Sequence, residues 1–239
     1  MVHPTTRDHS RGRVLVVAAL GRELAALERD RDPRIALLET GEGETNAERT
    51  LCSWLEDESP RAVLGIGFAG ALSDSLGPGD LIVASECRTV GSSVVSTTRE
   101  LLEMARRIQI SAVPLTIGVT VTVDEVVCHA EAKQRLAMGL RAGEIACVDM
   151  ESSAVARVCT ERRIPFLIAR AITDLFSEDL PLDFNQTRGT DGMVRNWKVI
   201  RAALRKPSSI KGLRELERRS AACSENLAAF VRRLAADIS

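Results

Sequence analysis

Apolar and polar positions alternate along the chain in two rhythms. "VLVVAAL" (Val14 to Leu20) is a nearly continuous apolar run, the pattern of a strand buried on both faces. "RELAALERD" follows with helical spacing, Leu24 and Leu27 on one face. "RIALLETGEG" predicts a second strand ending in glycines, and "NAERTLCSWLEDE" a helix with Asn46 as its N-cap. "AVLGIGFAGAL" predicts a strand running into a small-residue turn, and "GPGDLIVASECRTV" a turn and then a strand. A helix near Arg99 to Ile108, the strand "VPLTIGVTVTV", the glycine-stopped helix "AEAKQRLAMGLRAG" and the strand "IPFLIARAITD" continue the alternation. This order predicts an α/β fold: one domain, residues 13–239, with a mixed central sheet flanked by helices.

Two segments break the rhythm. Residues 1–12 are polar, have no apolar core of the signal-peptide kind, and are expected to form a flexible tail. "LFSEDLPLDFNQTRGTDG" (Leu175 to Gly192) reads as a long loop suited to be a lid. Two helical segments interrupted by "KPSS" close the chain, the last with Leu227, Phe230, Val231 and Leu234 on one face.

Composition narrows the function. In 239 residues, 32 Lys and Arg against 33 Asp and Glu give a net charge of -1, so neither nucleic acid nor an anionic membrane is favoured as a partner. Aromatics at 3% weaken any base-stacking platform. No apolar run approaches the roughly 20 residues of a membrane span. Cys52, Cys87, Cys128, Cys147, Cys159 and Cys223 form no CxxC pair and predict reduced, buried thiols. These features together predict a cytoplasmic protein. His3, His9 and His129 have no metal spacing, and no metal or other cofactor is expected.

The chemistry on offer is carboxylate chemistry. Ligands of α/β sheets bind beyond the carboxyl ends of the strands, and three strand ends deliver an acid: Glu23, the pair Asp149 and Glu151, and Asp174. Each has a plain structural alternative. Asp149 and Glu151 suit the cap and first turn of a helix, Glu23 an exposed first turn, and Asp174 a turn. If their strands are parallel neighbours, these acids share a cleft. Neither a G-x-S-x-G elbow nor a full Walker loop is present, and "TGEGETN" is only a weak anion-loop signal. Separated carboxylates suit glycosidic cleavage, one acid protonating the leaving group and another orienting water.

The words "VDMESSAVARVCTERRIPFLIARAITD", "GIGFAGALSDSLGPGDLIVAS" and "VVAALGRELAAL", with "TGEGETNA" and "TVDEVV", lie in an order that resembles the purine nucleoside phosphorylase/nucleosidase superfamily. The similarity extends from about residue 13 to 185 and is nearest to methylthioadenosine/S-adenosylhomocysteine nucleosidases and hopanoid-associated phosphorylase-like nucleosidases. It implies that Asp174 protonates the purine as it leaves, beside Thr173, with Arg170 supporting that acid. It implies that Glu151 holds the ribose hydroxyls above Met150, that Glu23 orients water, that the base meets the backbone of Val126 and Val127, and that Ala69 and Gly70 lie near the sugar. Homo-oligomerisation, at least to a dimer, is implied too.

Departures from the family pattern bear on the nucleophile. The position of a common phosphorylase arginine is Gly65, a common serine is replaced by Phe68, and Glu42 stands where an apolar residue is usual. They favour water over phosphate as attacking group, with phosphate as co-substrate the alternative and Arg22, Arg49 or Arg88 its candidate ligands. Phe68 and the loop after Asp174 suit a bulky 5′ substituent such as a hopane. A nucleoside-binding protein without catalysis is the alternative of another class.

Overall fold

The computed structural model describes residues 12–91, 94–187 and 209–238; the predicted N-terminal tail except Gly12, residues 188–192 of the predicted loop and the first of the two closing helical segments lie outside them. The elements run β1 (Val14–Ala18), α1 (Gly21–Arg29), β2 (Ile35–Glu39), α2 (Glu44–Asp57), β3 (Ala62–Ala71), β4 (Leu81–Thr89), β5 (Val94–Ser96), α3 (Arg99–Ala105), β6 (Leu115–Thr122), α4 (Ala130–Ala137), β7 (Ala146–Asp149), α5 (Ser152–Arg162), β8 (Phe166–Asp174), a 3-10 turn (Phe184–Thr187) and α6 (Ser209–Ile238). The predicted alternation is observed, with the short β5 in addition and the helix near Arg99 ending at Ala105 rather than Ile108.

Period-two patterning explains the layers. On β1, Val14, Val16 and Ala18 face one core with Leu24, Leu27, Leu64, Leu167, Leu227, Phe230 and Leu234. Leu15 and Val17 face the other with Ala47, Leu51, Val63, Val155, Val158 and Ile168. Helices α1 and α6 therefore cover one face of β1, and α2 and α5 the other. Burying each large apolar side chain contributes about 1.5–3 kcal/mol. The predicted stripe on the last helix is fully buried in this way.

The sheet is mixed. β2, β1, β3 and β8 run parallel, whereas β7 is antiparallel to β3 and β4 is antiparallel to β8. β6 runs parallel to both β4 and β7. The pairings β3–β7, β7–β6, β6–β4, β4–β8 and β8–β3 form a closed ring. The strands bearing the acids are thus not all parallel. Instead, β3 and β7 overlap by their carboxyl ends, Gly70 opposite Val148 and Ala71 opposite Cys147. This opposed overlap brings the ends of β1, β3, β7 and β8 to one place.

Two local readings need revision. α2 begins at Glu44 with Gly43 (φ 88°) as its cap, so Asn46 is not the N-cap. Its carboxamide lies inside the first turn and donates to the Glu42 carbonyl at 2.8 Å. The helix in "AEAKQRLAMGLRAG" also stops earlier, at Ala137. All six cysteines are unpaired, five of them buried. Among the described residues no helix is long and apolar enough to cross a membrane.

Candidate active site

The site grows from Arg170, in the middle of β8. Its guanidinium is buried, with Nε 2.7 Å from Asp149 Oδ2. It also donates to Ser152 Oγ, through Nε at 3.1 Å and Nη2 at 3.0 Å. The Ser152 hydroxyl donates in turn to Asp149 Oδ2, and Thr122 Oγ1 donates to Asp149 Oδ1 at 2.8 Å. Asp149 also accepts from the Ser152 backbone N–H at 3.2 Å, at the start of α5. The turn-anchor reading of Asp149 holds, and the same carboxylate has a second task, fixing Arg170.

Two further acids face that guanidinium. Glu23 is held by two backbone donors, Leu20 N–H to Oε2 at 2.9 Å and Phe68 N–H to Oε1 at 2.8 Å. It lies in the first turn of α1 and is buried rather than exposed. Glu151 accepts from the Gly43 N–H at 2.7 Å, so the glycine loop spends a donor on this acid. Burial pushes the Glu23 carboxyl up against the opposing pull of Arg170 and of its two backbone donors. Burial pushes Glu151 up to about 8, Arg170 opposing and Asp149 and Glu23 assisting. Burial thus favours the protonated form of Glu151, which offers both a donor and an acceptor. Burial works against the charge of Arg170, but Asp149, Glu151 and Glu23 outweigh it and hold its pKa above the ordinary value.

Gly67 makes room for this cluster. A Cβ there would stand 2.1 Å from Arg170 Nη1 and 3.0 Å from Glu23 Oε1. Gly70 does the same for Asp174, whose Oδ2 would be 2.9 Å from a Cβ on that residue.

Asp174 forms a second centre at the end of β8. Thr173 Oγ1 donates to its Oδ1 at 2.8 Å, and Lys133 Nζ donates to its Oδ2 at 2.5 Å. The expectation that Arg170 supports Asp174 is corrected here. Four residues along a strand span roughly 13 Å, and the Arg170 ion pair is with Asp149. The cation of Asp174 is Lys133, which the sequence reading missed. One signal for it was available: Ala130, Lys133 and Leu136 recur at helical spacing, and Lys133 takes the inward position of an otherwise apolar stripe. Ser152 and Thr122 were missed too, because their hydroxyls act through Asp149 and Arg170.

The remaining predicted residues fall around these two centres. The Phe68 N–H bonds Glu23, the Ala69 carbonyl lies 3.4 Å from Thr173 Oγ1, and Met150 is half-buried between Asp149 and Glu151. Val126 lies farther along, at the loop after β6. Both its peptide groups are taken by the Asn185 carboxamide, N–H to Oδ1 at 3.0 Å and Nδ2 to the carbonyl at 2.9 Å. A cleft of about 430 Å³ opens there between Val126, Val127, Leu136 and Asp183, and the three acids Glu23, Glu151 and Asp174 do not line it.

The candidate phosphate ligands are dispersed. Arg88 is clamped by Glu86 at 2.6 Å and Glu144 at 2.7 Å. Arg49 donates to Asn46 on the exposed surface, and Arg22 lies over the Phe68 ring, 5.8 Å from its centroid. Among the described residues no group of His, Cys, Asp and Glu has the arrangement of a metal site.

Residues 26–205 match the Phosphorylase superfamily. The chain belongs to that family. It is accordingly an enzyme of the nucleosidase and nucleoside phosphorylase class, as the resemblance implied. Among its relatives is the 5′-methylthioadenosine/S-adenosylhomocysteine nucleosidase of a Shewanella species, 27% identical over 169 residues, or 63% of this chain and 72% of the relative. The fold is similar to that of the Helicobacter pylori 5′-methylthioadenosine/S-adenosylhomocysteine nucleosidase, with a TM-score of 0.72 at 18% identity, covering 94% of this chain and 98% of the other. It is equally similar to the futalosine hydrolase of the same organism, with a TM-score of 0.72 at 16% identity, covering 94% and 97%.

Proposed function

We propose that the protein hydrolyses the N-glycosidic bond of a purine nucleoside, an adenine nucleoside with an extended 5′ group. The bond between C1′ and N9 breaks, water supplies the hydroxyl to C1′, and a proton from Asp174 neutralises the departing base at N7. The products are the free base and the free sugar.

The observation that carries this reading is the surplus of carboxyl groups around one cation. Asp149, Glu23 and Glu151 surround Arg170. A phosphate brought to Arg170 would meet acids and a cation already paired with Asp149, leaving the exposed Arg22 as a cationic neighbour, whereas a water molecule needs only an acceptor for its proton. Glu23 is that acceptor in the proposed mechanism. Its position, set by two backbone donors, costs nothing to reorganise as charge develops. Protonated Glu151 suits the ribose hydroxyls, which both donate and accept. Phe68 and Met150 supply apolar walls. The names of the relatives are those of nucleosidases and a hydrolase, which agrees with water as the nucleophile.

The adenine and 5′ parts of the proposal rest on those relatives and on Phe68. The hopane suggested by the sequence is one member of the bulky 5′ class. Assembly into a homo-oligomer rests on the resemblance alone. Asp174→Asn tests the role of the acid. General-acid catalysis contributes about 10²–10⁴ in rate, and adenosine cleavage is expected to fall by that factor. Wild-type turnover in the variant would refute the assignment.

A further inference from the structure

Lys133 is a buried ammonium in the inward stripe of α4, and nothing in the chemistry described so far uses it. Its three protons have three acceptors: Asp174 Oδ2 at 2.5 Å, the Leu175 carbonyl at 2.6 Å and the Glu178 carbonyl at 3.1 Å. An ammonium donates and never accepts. The oxygen it faces must therefore offer a lone pair, and in a neutral carboxylic acid the carbonyl oxygen offers a better one than the oxygen that bears the proton.

The other oxygen has a different neighbour. Thr173 Oγ1 lies 2.8 Å from Asp174 Oδ1 and 3.4 Å from the Ala69 carbonyl. A hydroxyl can reverse its role. It donates to Oδ1 when Asp174 is an anion, and turns toward the Ala69 carbonyl when Oδ1 is protonated. Oδ2 has no such freedom: beside the ammonium it also lies against Gly70, where a Cβ would be 2.9 Å away.

We infer that Lys133 is a positioning residue for the leaving-group acid, fixing Asp174 by Oδ2 so that the proton delivered to the base resides on Oδ1. The inference rests on the proposed role of Asp174. The carbonyl bonds from Lys133 tie the start of the loop after β8 to the same ammonium. Arg219 reinforces that loop from α6, donating to the Thr173 carbonyl at 3.3 Å and to Glu178 Oε2 at 2.8 Å.

The test compares replacements at Lys133 on two substrates. Adenosine needs its base protonated, whereas p-nitrophenyl riboside releases a phenolate that departs without a proton. In Lys133→Met, kcat for adenosine is expected to fall about 10²-fold, the low end of general-acid contributions, with KM changed less than about threefold. Turnover of p-nitrophenyl riboside is expected to change less than about threefold. Equal losses on both substrates, or no loss on adenosine, would overturn the inference.

A second pair of variants covers the case in which Lys133→Met does not fold. Arginine, like lysine, only donates, whereas glutamine can also accept and so lets the proton settle on Oδ2. Lys133→Arg is expected to outperform Lys133→Gln on adenosine by about tenfold and to match it on p-nitrophenyl riboside. Equal adenosine rates would overturn the inference. Wild-type enzyme that cleaves neither substrate would instead defeat the proposed function beneath it, and the two failures are distinguishable.

Discussion

Arg170 Nε lies 2.7 Å from Asp149 Oδ2, and both side chains are almost wholly out of water. The pair joins β8 to β7 across the carboxyl end of β3, and its guanidinium faces Glu23 and Glu151. Removing one partner of a buried ion pair leaves an uncompensated charge and costs roughly 3–5 kcal/mol. Arg170→Met is expected to lose stability of that order in urea denaturation, since Asp149 then remains buried. An unchanged midpoint would mean that the pair has no structural role.

Gly67 offers a test of geometry at nearly constant chemistry. The added methyl of Gly67→Ala must displace the Arg170 guanidinium, whose Nη1 would be 2.1 Å away. Overpacking of this kind costs about 1–3 kcal/mol, and a shift of about 1 Å in a catalytic group can cost about 10²-fold in rate. The variant is expected to stay folded by circular dichroism, with nucleoside cleavage reduced about 10²-fold. Full activity would show that Arg170 and Glu23 need not sit where they do.

The buried acids make stability depend on pH. Glu151 is raised from 4.5 to about 8 by burial, and Glu23 is raised as well. At Glu151 the folded protein thus holds a proton that the unfolded chain has released. The stability this contributes is complete below about 4.5 and is lost as pH rises through about 8. One such proton gives a slope of about 1.4 kcal/mol per pH unit. Between pH 5 and 8 the urea midpoint of wild type is expected to decline more steeply than that of Glu151→Gln. Parallel slopes would contradict the raised value.

The fold was legible where hydrophobic periodicity is strong. The run Val14 to Leu20 and the stripe Leu227 to Leu234 announced a doubly covered sheet and its packing helix. Strand direction was not legible, because β7 reads the same whether it runs with β3 or against it. The coincidence of Glu23, Glu151 and Asp174 at strand ends pointed to one region, and opposed rather than parallel strands bring their ends together. Partnerships were harder. Which cation meets which acid depends on register, and register sends Arg170 to Asp149 and leaves Asp174 to Lys133. The Asn46 cap failed for a local reason: Gly43 turns the chain at a positive φ, and the helix starts before Asn46 is reached.

The central claim is hydrolysis, and product analysis tests it most directly. Purified protein is incubated with adenosine and with 5′-methylthioadenosine, each with and without inorganic phosphate, and the products are separated by chromatography. Adenine and the free sugar are expected at the same rate in both conditions, with the 5′-extended substrate cleaved faster. A sugar 1-phosphate that forms only when phosphate is added would contradict the account.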